Sequence, residues 1–443
     1  MSKFPLLLLA LSAFAQEPLS LRDAVKVALR ENQTITASAA ATRAAGTRLT
    51  QARSALLPKV NYSETVARSD NPVFVFSSLL TQHQFGADNF NIGPLNRPDA
   101  LNNFQSQVTV DQVLYDAGQT SHAVKSAELG RQLTAEDQRR VEMEVISGVA
   151  RAYYGAILAA ENLKTAEQAM RSAEADLRRA ESIRTAGMST DVDVLSIRVH
   201  LAAVTEQRIK SSADLEVARA ALNDALGLPL DTPHSLTTPM TPADLPDLAI
   251  DSLERDAANQ RPEARETALA TSLAREQADA SRGSLRPTVS FRGAFEADRQ
   301  RFVTRGGGDW LASVSLHWNL FNGNADKARI AETGHWLERA KADQQRTGSA
   351  VRLQVRRAWA DLRAAQQRIE VAKAAVAEAE ESLRITQNRY EAGMSNVTDL
   401  VRNETAALES KTRYLAAVHD QRVAATMLEF AAGRLTADSE VLN

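Results

Sequence analysis

The chain carries one unit twice. Arg184–Ser189 (RTAGMS) returns as Tyr390–Ser395 (YEAGMS), and the same shift places Asp193 on Asp399, Ala221-Leu222 on Met427-Leu428 and Leu114–Asp116 on Leu320–Asn322. Upstream, Leu57–Tyr62 (LPKVNY) matches Arg286–Phe291 (RPTVSF) at a larger shift, so the segment from Ser63 to Val113 carries an insertion. Four matches in one order are a poor product of chance. A duplicated chain folds as two copies of one supersecondary unit, and that constrains everything else.

Each copy reads helix, strand, loop, strand, very long helix, turn, helix. The strands alternate with a period of two. Trp310, Ala312, Val314, Leu316, Trp318 and Leu320 alternate with Ser313, Ser315, His317 and Asn319, and Val289, Phe291 and Phe295 alternate with Ser290, Arg292 and Glu296. In the first copy Val60, Tyr62 and Val66 oppose Asn61, Ser63 and Thr65, and Val108, Val110 and Leu114 oppose Gln107, Thr109 and Asp111. Segments of about ten residues with aromatics near their ends have the length and dressing of tilted transmembrane strands, with Phe291, Trp310, Val314, Leu316 and Trp318 facing lipid. Four such strands cannot close a barrel, and unpaired edges are forbidden in lipid, so the chain must oligomerise.

The long helices run without proline from Gly118 to Ala186 and from Asn324 to Ala392. About 68 helical residues reach roughly 100 Å, beyond any compact domain. In the second copy the seam reads Val351, Val355, Ala358, Leu362, Ala365, Ile369, Ala372, Val376, Ala379, Leu383; in the first it reads Val145, Val149, Ala152, Ala156, Ala159, Leu163, Ala166, Met170, Ala173, Leu177. This is a coiled-coil seam. It is narrow and rich in alanine, which suits helices with water on two sides and neighbours at their flanks. Gly187 and Gly393 are placed to end the descending helices, with Ser189 and Ser395 as caps of the next.

The predicted boundaries are an export signal at about 1–15, a first copy at 16–227, a proline-rich segment at 228–250, a second copy at 251–433 and a loose tail at 434–443. Strands are expected at about 59–68, 105–115, 287–297 and 310–321, and helices at about 20–56, 119–186, 190–226, 251–284, 325–391 and 396–432. Lys3, the apolar run Phe4–Leu11 and Ala13-Phe14-Ala15 make the signal. The joining segment holds Pro229, Pro233, Pro239, Pro242 and Pro246. A long loop, Ser69 to Phe104, joins the first strand pair, and a short one around Arg305–Asp309 joins the second.

Net charge is −3, with no basic block dense enough for nucleic acid. There is no cysteine, which removes disulfides and thiolate chemistry. The histidines (His83, His122, His200, His234, His317, His335, His419) are scattered without metal-ligand spacing, and no nucleophile elbow, P-loop or dinucleotide fingerprint occurs. No catalysis, metal or cofactor is expected. A periplasmic adaptor would show a single hairpin between soluble β-domains. A coiled-coil scaffold would leave the alternation at Trp310–Leu320 unexplained.

Arg389–Gly393 (RYEAG) followed by Thr398-Asp399-Leu400, and Leu320–Gly323 (LFNG) where strand meets helix, stand inside this duplicated frame. Together they resemble the TolC-like outer membrane factors over essentially the whole mature chain. The resemblance implies a mainly α fold with membrane β-strands. It implies a homotrimer whose twelve-stranded β-barrel in outer-membrane lipid continues into a periplasmic α-helical barrel, with a periplasmic adaptor and an inner-membrane pump as partners. The cargo class would be drugs, metals, other small molecules or secreted polypeptides. It also implies a periplasmic gate. Asp193 and Tyr390 match an aspartate and a tyrosine that hydrogen-bond across two hairpins, and Asp399 matches an acidic residue narrowing the entrance. An arginine of the family falls on Ser395 and a second acidic residue on Arg402, so the closing contacts must differ here. The adaptor would meet Gly187, Met188, Ser189, Gly393 and Met394. Helix capping is an alternative reading of Asp193 and Asp399, as seam packing is of Tyr390.

Overall fold

The computed structural model describes residues 17–244, 249–303 and 306–443. The signal expected at 1–15 lies outside them, as do Pro246 and Arg305. Along the chain, β1 (Glu17–Leu19) leads into α1 (Leu21–Glu31) and α2 (Gln33–Ser54), then β2 (Lys59–Ser69), α3 (Pro72–Thr81), α4 (Ile92–Asn96) and β3 (Leu101–Tyr115). The first copy ends with α5 (Gln119–Thr185) and α6 (Asp191–Leu226), and β4 (His234–Leu236) follows. The second copy runs α7 (Ile250–Gln260), α8 (Pro262–Gly283), β5 (Thr288–Arg299), β6 (Gly307–His317), α9 (Ala325–Glu391) and α10 (Val397–Ala432). The duplication is metrical: α5 and α9 each have 67 residues, α6 and α10 each 36. Among the described residues, no helix is long and apolar enough to cross a membrane.

The chain divides into two compact units. The one built on Thr42–Leu133 and Ala268–Asp343 holds an antiparallel sheet in the order β2-β3-β5-β6. Its register sets Phe295 against Trp310, Phe291 against Val314 and Val289 against Leu316, so these side chains share one face with Val60, Tyr62 and Val108. Trp310, Val314 and Leu316 stay 79%, 66% and 65% exposed. The other face carries a polar ladder in which Gln105 and Gln107 donate to the Glu296 carboxylate at 2.6 and 2.9 Å. The outer edges of β2 and β6 have no partner among the described residues.

The strand expected at 310–321 begins earlier and stops at His317, because its partner β5 starts at Thr288 and offers nothing further to pair. Trp318 therefore lies beyond the strand, its Nε1 donating to the Leu285 carbonyl at 3.1 Å. The long loop is largely structured. Asn71 caps α3 with Pro72 in its first turn, and Phe76, Phe85 and Phe90 pack edge to face. Gln82, 1% exposed, donates to the Asn102 carbonyl and to Asn103, which in turn donates to Asp298.

The second unit holds the residues up to Ala41, Thr134–Thr267 and Gln344–Asn443. Every seam residue named above is buried or half-buried. The burial of α5 is wider than a seam, because α1, α6 and the C-terminal tail cover Ile146, Tyr153 and Tyr154. Tyr153 is fully buried; its hydroxyl donates to the Leu19 carbonyl at 2.7 Å and accepts from Thr237 N and Thr238 N. It thereby fastens the parallel pair β1–β4, which anchors the proline-rich segment at His234–Leu236. The tail is not loose. Leu435 and Leu442 fill the same core at 2% and 1% exposure, and Arg434 pairs with Glu429 and Asp256.

The helices expected at about 20–56 and 251–284 are each broken in two. At Arg261 the cause is Pro262, which disfavours helical backbone in the residue before it. Asn32 breaks the first by taking extended backbone and accepting from Thr34 N at 2.8 Å. Asn32 Nδ2 donates to the Ala225 carbonyl at 3.0 Å and Arg261 Nη1 to that of Ala431 at 3.3 Å. Those alanines are repeat partners, so two unlike side chains make one tie. The helix-ending glycines next to them, Gly227 and Gly433, both have φ +77°, and a Cβ on either would sit 2.7 Å from the kink backbone.

Candidate functional site

Two helical hairpins, α5–α6 and α9–α10, end in matching turns. Gly187 (φ +77°) and Gly393 (φ +69°) supply the left-handed residue. Met188 N donates to the Ile183 carbonyl and Met394 N to that of Arg389, closing the helix ends. The next residues begin the return helices, capped by Thr190 and Asn396 rather than by the expected Ser189 and Ser395. Met188 and Met394 are left 75% and 64% exposed.

Asp193 completes a capping box. Its Oδ2 accepts from Thr190 N (3.0 Å), Thr190 Oγ1 (2.9 Å) and Ser189 Oγ (2.9 Å). The Thr190 backbone bond, then the Ser189 hydroxyl, holds its carboxyl below the usual range. Tyr390 is 6% exposed within an apolar cluster of Ala180, Val194, Ile197, Val397 and Leu400, and its hydroxyl meets no hydrogen-bond partner. The aspartate–tyrosine bond implied by the resemblance is not made: Asp193 Oδ2 serves its own helix cap, and the Tyr390 hydroxyl stays buried without a partner among the described residues. Burial, and then the charges of Asp193 and Asp176, push the Tyr390 phenol up.

Asp399 is half-buried in the first turn of α10, where its N–H donates to Asn396 Oδ1 at 2.8 Å. Arg402 is exposed one turn on, and Ser395 is half-buried in the turn. Among the described residues neither the Asp399 carboxylate nor the Arg402 guanidinium has an ion-pair partner within the chain, although ion pairs are frequent elsewhere on these helices, as in Arg198–Glu181 and Lys411–Glu380.

A polar cluster that the sequence analysis did not single out lies between the hairpins. Glu404 of α10 is bonded from the other hairpin by His200 Nε2 (3.0 Å) and Ser172 Oγ (3.0 Å). Asp176 of α5, 3% exposed, is within hydrogen-bonding reach of the same carboxylate. Asp176 Oδ1 accepts from Arg179 at 3.0 Å, and Arg179 also reaches Glu391 of α9 at 3.0 Å. Asp176 Oδ2 is buried and meets no donor. The available signal was a break in the repeat: Asp176, His200 and Glu404 fall on Ser382, Ala406 and Arg198 in the other copy.

Comparisons with known proteins agree with this architecture. The family model described as "Outer membrane efflux protein" matches residues 24–228 and 253–434, one block per copy. Protein CyaE of Bordetella pertussis is 31% identical over 353 residues, covering 76% of this chain and 72% of that protein. Outer membrane efflux protein BepC of Brucella suis is 23% identical, covering 95% and 86%. In structure, the Campylobacter jejuni CmeC outer membrane channel superposes with a TM-score of 0.80 at 16% identity, covering 95% of this chain and 87% of that one. A four-stranded sheet, paired long hairpins and a match to both copies lead to one conclusion: the chain belongs to the outer membrane efflux protein family, the channels through which efflux and secretion systems discharge across the outer membrane.

Proposed function

We propose that three copies of the chain close a twelve-stranded barrel and pass cargo outward from an inner-membrane pump and a periplasmic adaptor. The carrying observation is the four-stranded sheet, apolar on one face and polar on the other, with both outer edges unpaired. Such edges are intolerable in lipid unless other copies pair them. Phe291, Trp310, Val314 and Leu316 then form the lipid wall, with Trp318 just past the strand end, where aromatics suit the interface. The exposed Met188 and Met394, with Gly187, Ser189 and Gly393, form an adaptable apolar surface for the adaptor.

At the periplasmic end, Asp399 and Arg402 bracket the aperture and pair between subunits. Among the described residues neither side chain forms an ion pair within the chain, which leaves both charges available to a neighbouring subunit. Purified protein should migrate as a heat-modifiable trimer from outer-membrane fractions; recovery as a soluble monomer would sink the assembly. Planar-bilayer conductance should rise in Asp399→Ala and Arg402→Ala, and the double variant should add little to either. Unchanged conductance in all three removes these residues from the gate.

A further inference from the structure

We propose that Asp176, His200 and Glu404 form a proton-operated latch that joins the α5–α6 hairpin to the α9–α10 hairpin of each protomer, closed while Asp176 and Glu404 share one proton. A buried carboxylate oxygen without a donor, Asp176 Oδ2, is what points to it. Two carboxyl groups lie within hydrogen-bonding reach in a buried site, and two carboxylates have no hydrogen to place between them. The remaining valences of Glu404 are filled by His200 and Ser172, and Asp176 Oδ1 by Arg179, which leaves the buried Asp176 Oδ2 as the atom without a partner. A proton there turns it into the missing donor.

The surrounding charges fix which group titrates. Arg179 faces the site from α5, His200 from α6, Tyr390 and Glu391 from α9, and Lys411 from α10, where it is engaged by Glu380 at 2.8 Å. Burial, followed by the bond to Glu404 and its charge, pushes Asp176 up to about 7. Burial opposes ionisation of Glu404 too, but the bonds from His200, Asp176 and Ser172 outweigh it and hold that carboxyl below the usual range. Glu404 is thus the standing anion and Asp176 the switch. A cavity of 140 Å³ lined by Ser172, His200, Glu404 and Lys411 adjoins the Glu404 side of the pair and has room for water.

A carboxyl raised in the closed state favours closure fully below its ordinary pKa of 3.8, and that advantage is lost as pH rises through about 7. Between pH 6 and pH 8 the balance moves toward release by about tenfold per protomer. Deprotonation leaves Asp176 and Glu391 sharing one Arg179 beside the Glu404 anion, and the hairpins part. That this widens the entrance rests on the aperture reading above; the latch itself does not.

The test uses the full-length trimer. Hydrogen exchange over 172–180 and 400–408, corrected for intrinsic rates, should report about tenfold more opening at pH 8 than at pH 6, and bilayer conductance should rise over the same interval. Asp176→Asn keeps a donor to Glu404 but cannot ionise, so both steps should vanish. Glu404→Gln removes the facing anion, so the step should move to lower pH. An exchange step that persists in Asp176→Asn, or stays in place in Glu404→Gln, overturns the latch. A conductance step present in wild type and Asp176→Asn alike overturns the latch and leaves the aperture standing. An exchange step abolished by Asp176→Asn with flat conductance upholds the latch and overturns the aperture.

Discussion

Replacing Gly433 by alanine should loosen the second copy far more than the same change at Gly393, although both glycines end a long helical element with positive φ. At Gly393 a Cβ meets nothing within 4 Å, so the cost is the left-handed backbone alone, roughly 1–2 kcal/mol. At Gly433 the added carbon would lie 2.7 Å from Arg261 N and 2.9 Å from the Gln260 carbonyl carbon, both backbone atoms at the α7–α8 kink. Overpacking of that kind costs about 1–3 kcal/mol more. Alanine's smaller unfolded-state entropy returns only about 0.4–1 kcal/mol at either site. The contrast between the variants should therefore be about 1–3 kcal/mol, a factor of roughly 5 to 150 in local opening. Hydrogen exchange in peptides spanning 253–262 and 425–434 reads it directly. Protection unchanged in Gly433→Ala, or equal loss there in Gly393→Ala, would refute the close approach as the reason for glycine.

Two further substitutions examine the ties that hold the helical unit. Arg261→Ala strands the Glu263 carboxylate, which Arg261 engages at 2.6 and 2.9 Å against the burial that opposes its ionisation. The expected loss in chemical denaturation is about 2–4 kcal/mol, below a fully buried pair because Glu263 keeps some contact with water, and Arg261→Met with Glu263→Gln should recover part of it. Tyr153→Phe leaves the Leu19 carbonyl and the amides of Thr237 and Thr238 without that hydroxyl. About 1–3 kcal/mol should be lost, with faster exchange at 234–238 and none of the change at the hairpin turns.

Much of the architecture was legible because it rests on local, periodic signals. Alternation in β6 up to His317 follows from the pleat, and the a/d seam follows from 3.6 residues per turn. What escaped depended on neighbours remote in sequence. The end of β6 was set by where β5 begins, and the tail was ordered by a core that Leu435 and Leu442 happen to fill. The break at Arg261 was half visible in Pro262. The break at Asn32 was not, because it is stabilised by a carbonyl at Ala225. Asp193 and Tyr390 were placed at the tip by their motif, but whether they bond was decided by packing: Asp193 Oδ2 caps its own helix, and the Tyr390 ring is buried in an apolar cluster.

The sequence by itself determined that there are two copies and that each makes strands fit for lipid and helices fit for a seam. These are properties of hydrophobic period and length, which do not need distant contacts. Only the tertiary structure decided which polar residues are inside. Asp176 and Glu404 read as ordinary charges on charged helices until two hairpins are laid side by side, because burial and the proximity of a second carboxyl are pair properties that no single helix encodes.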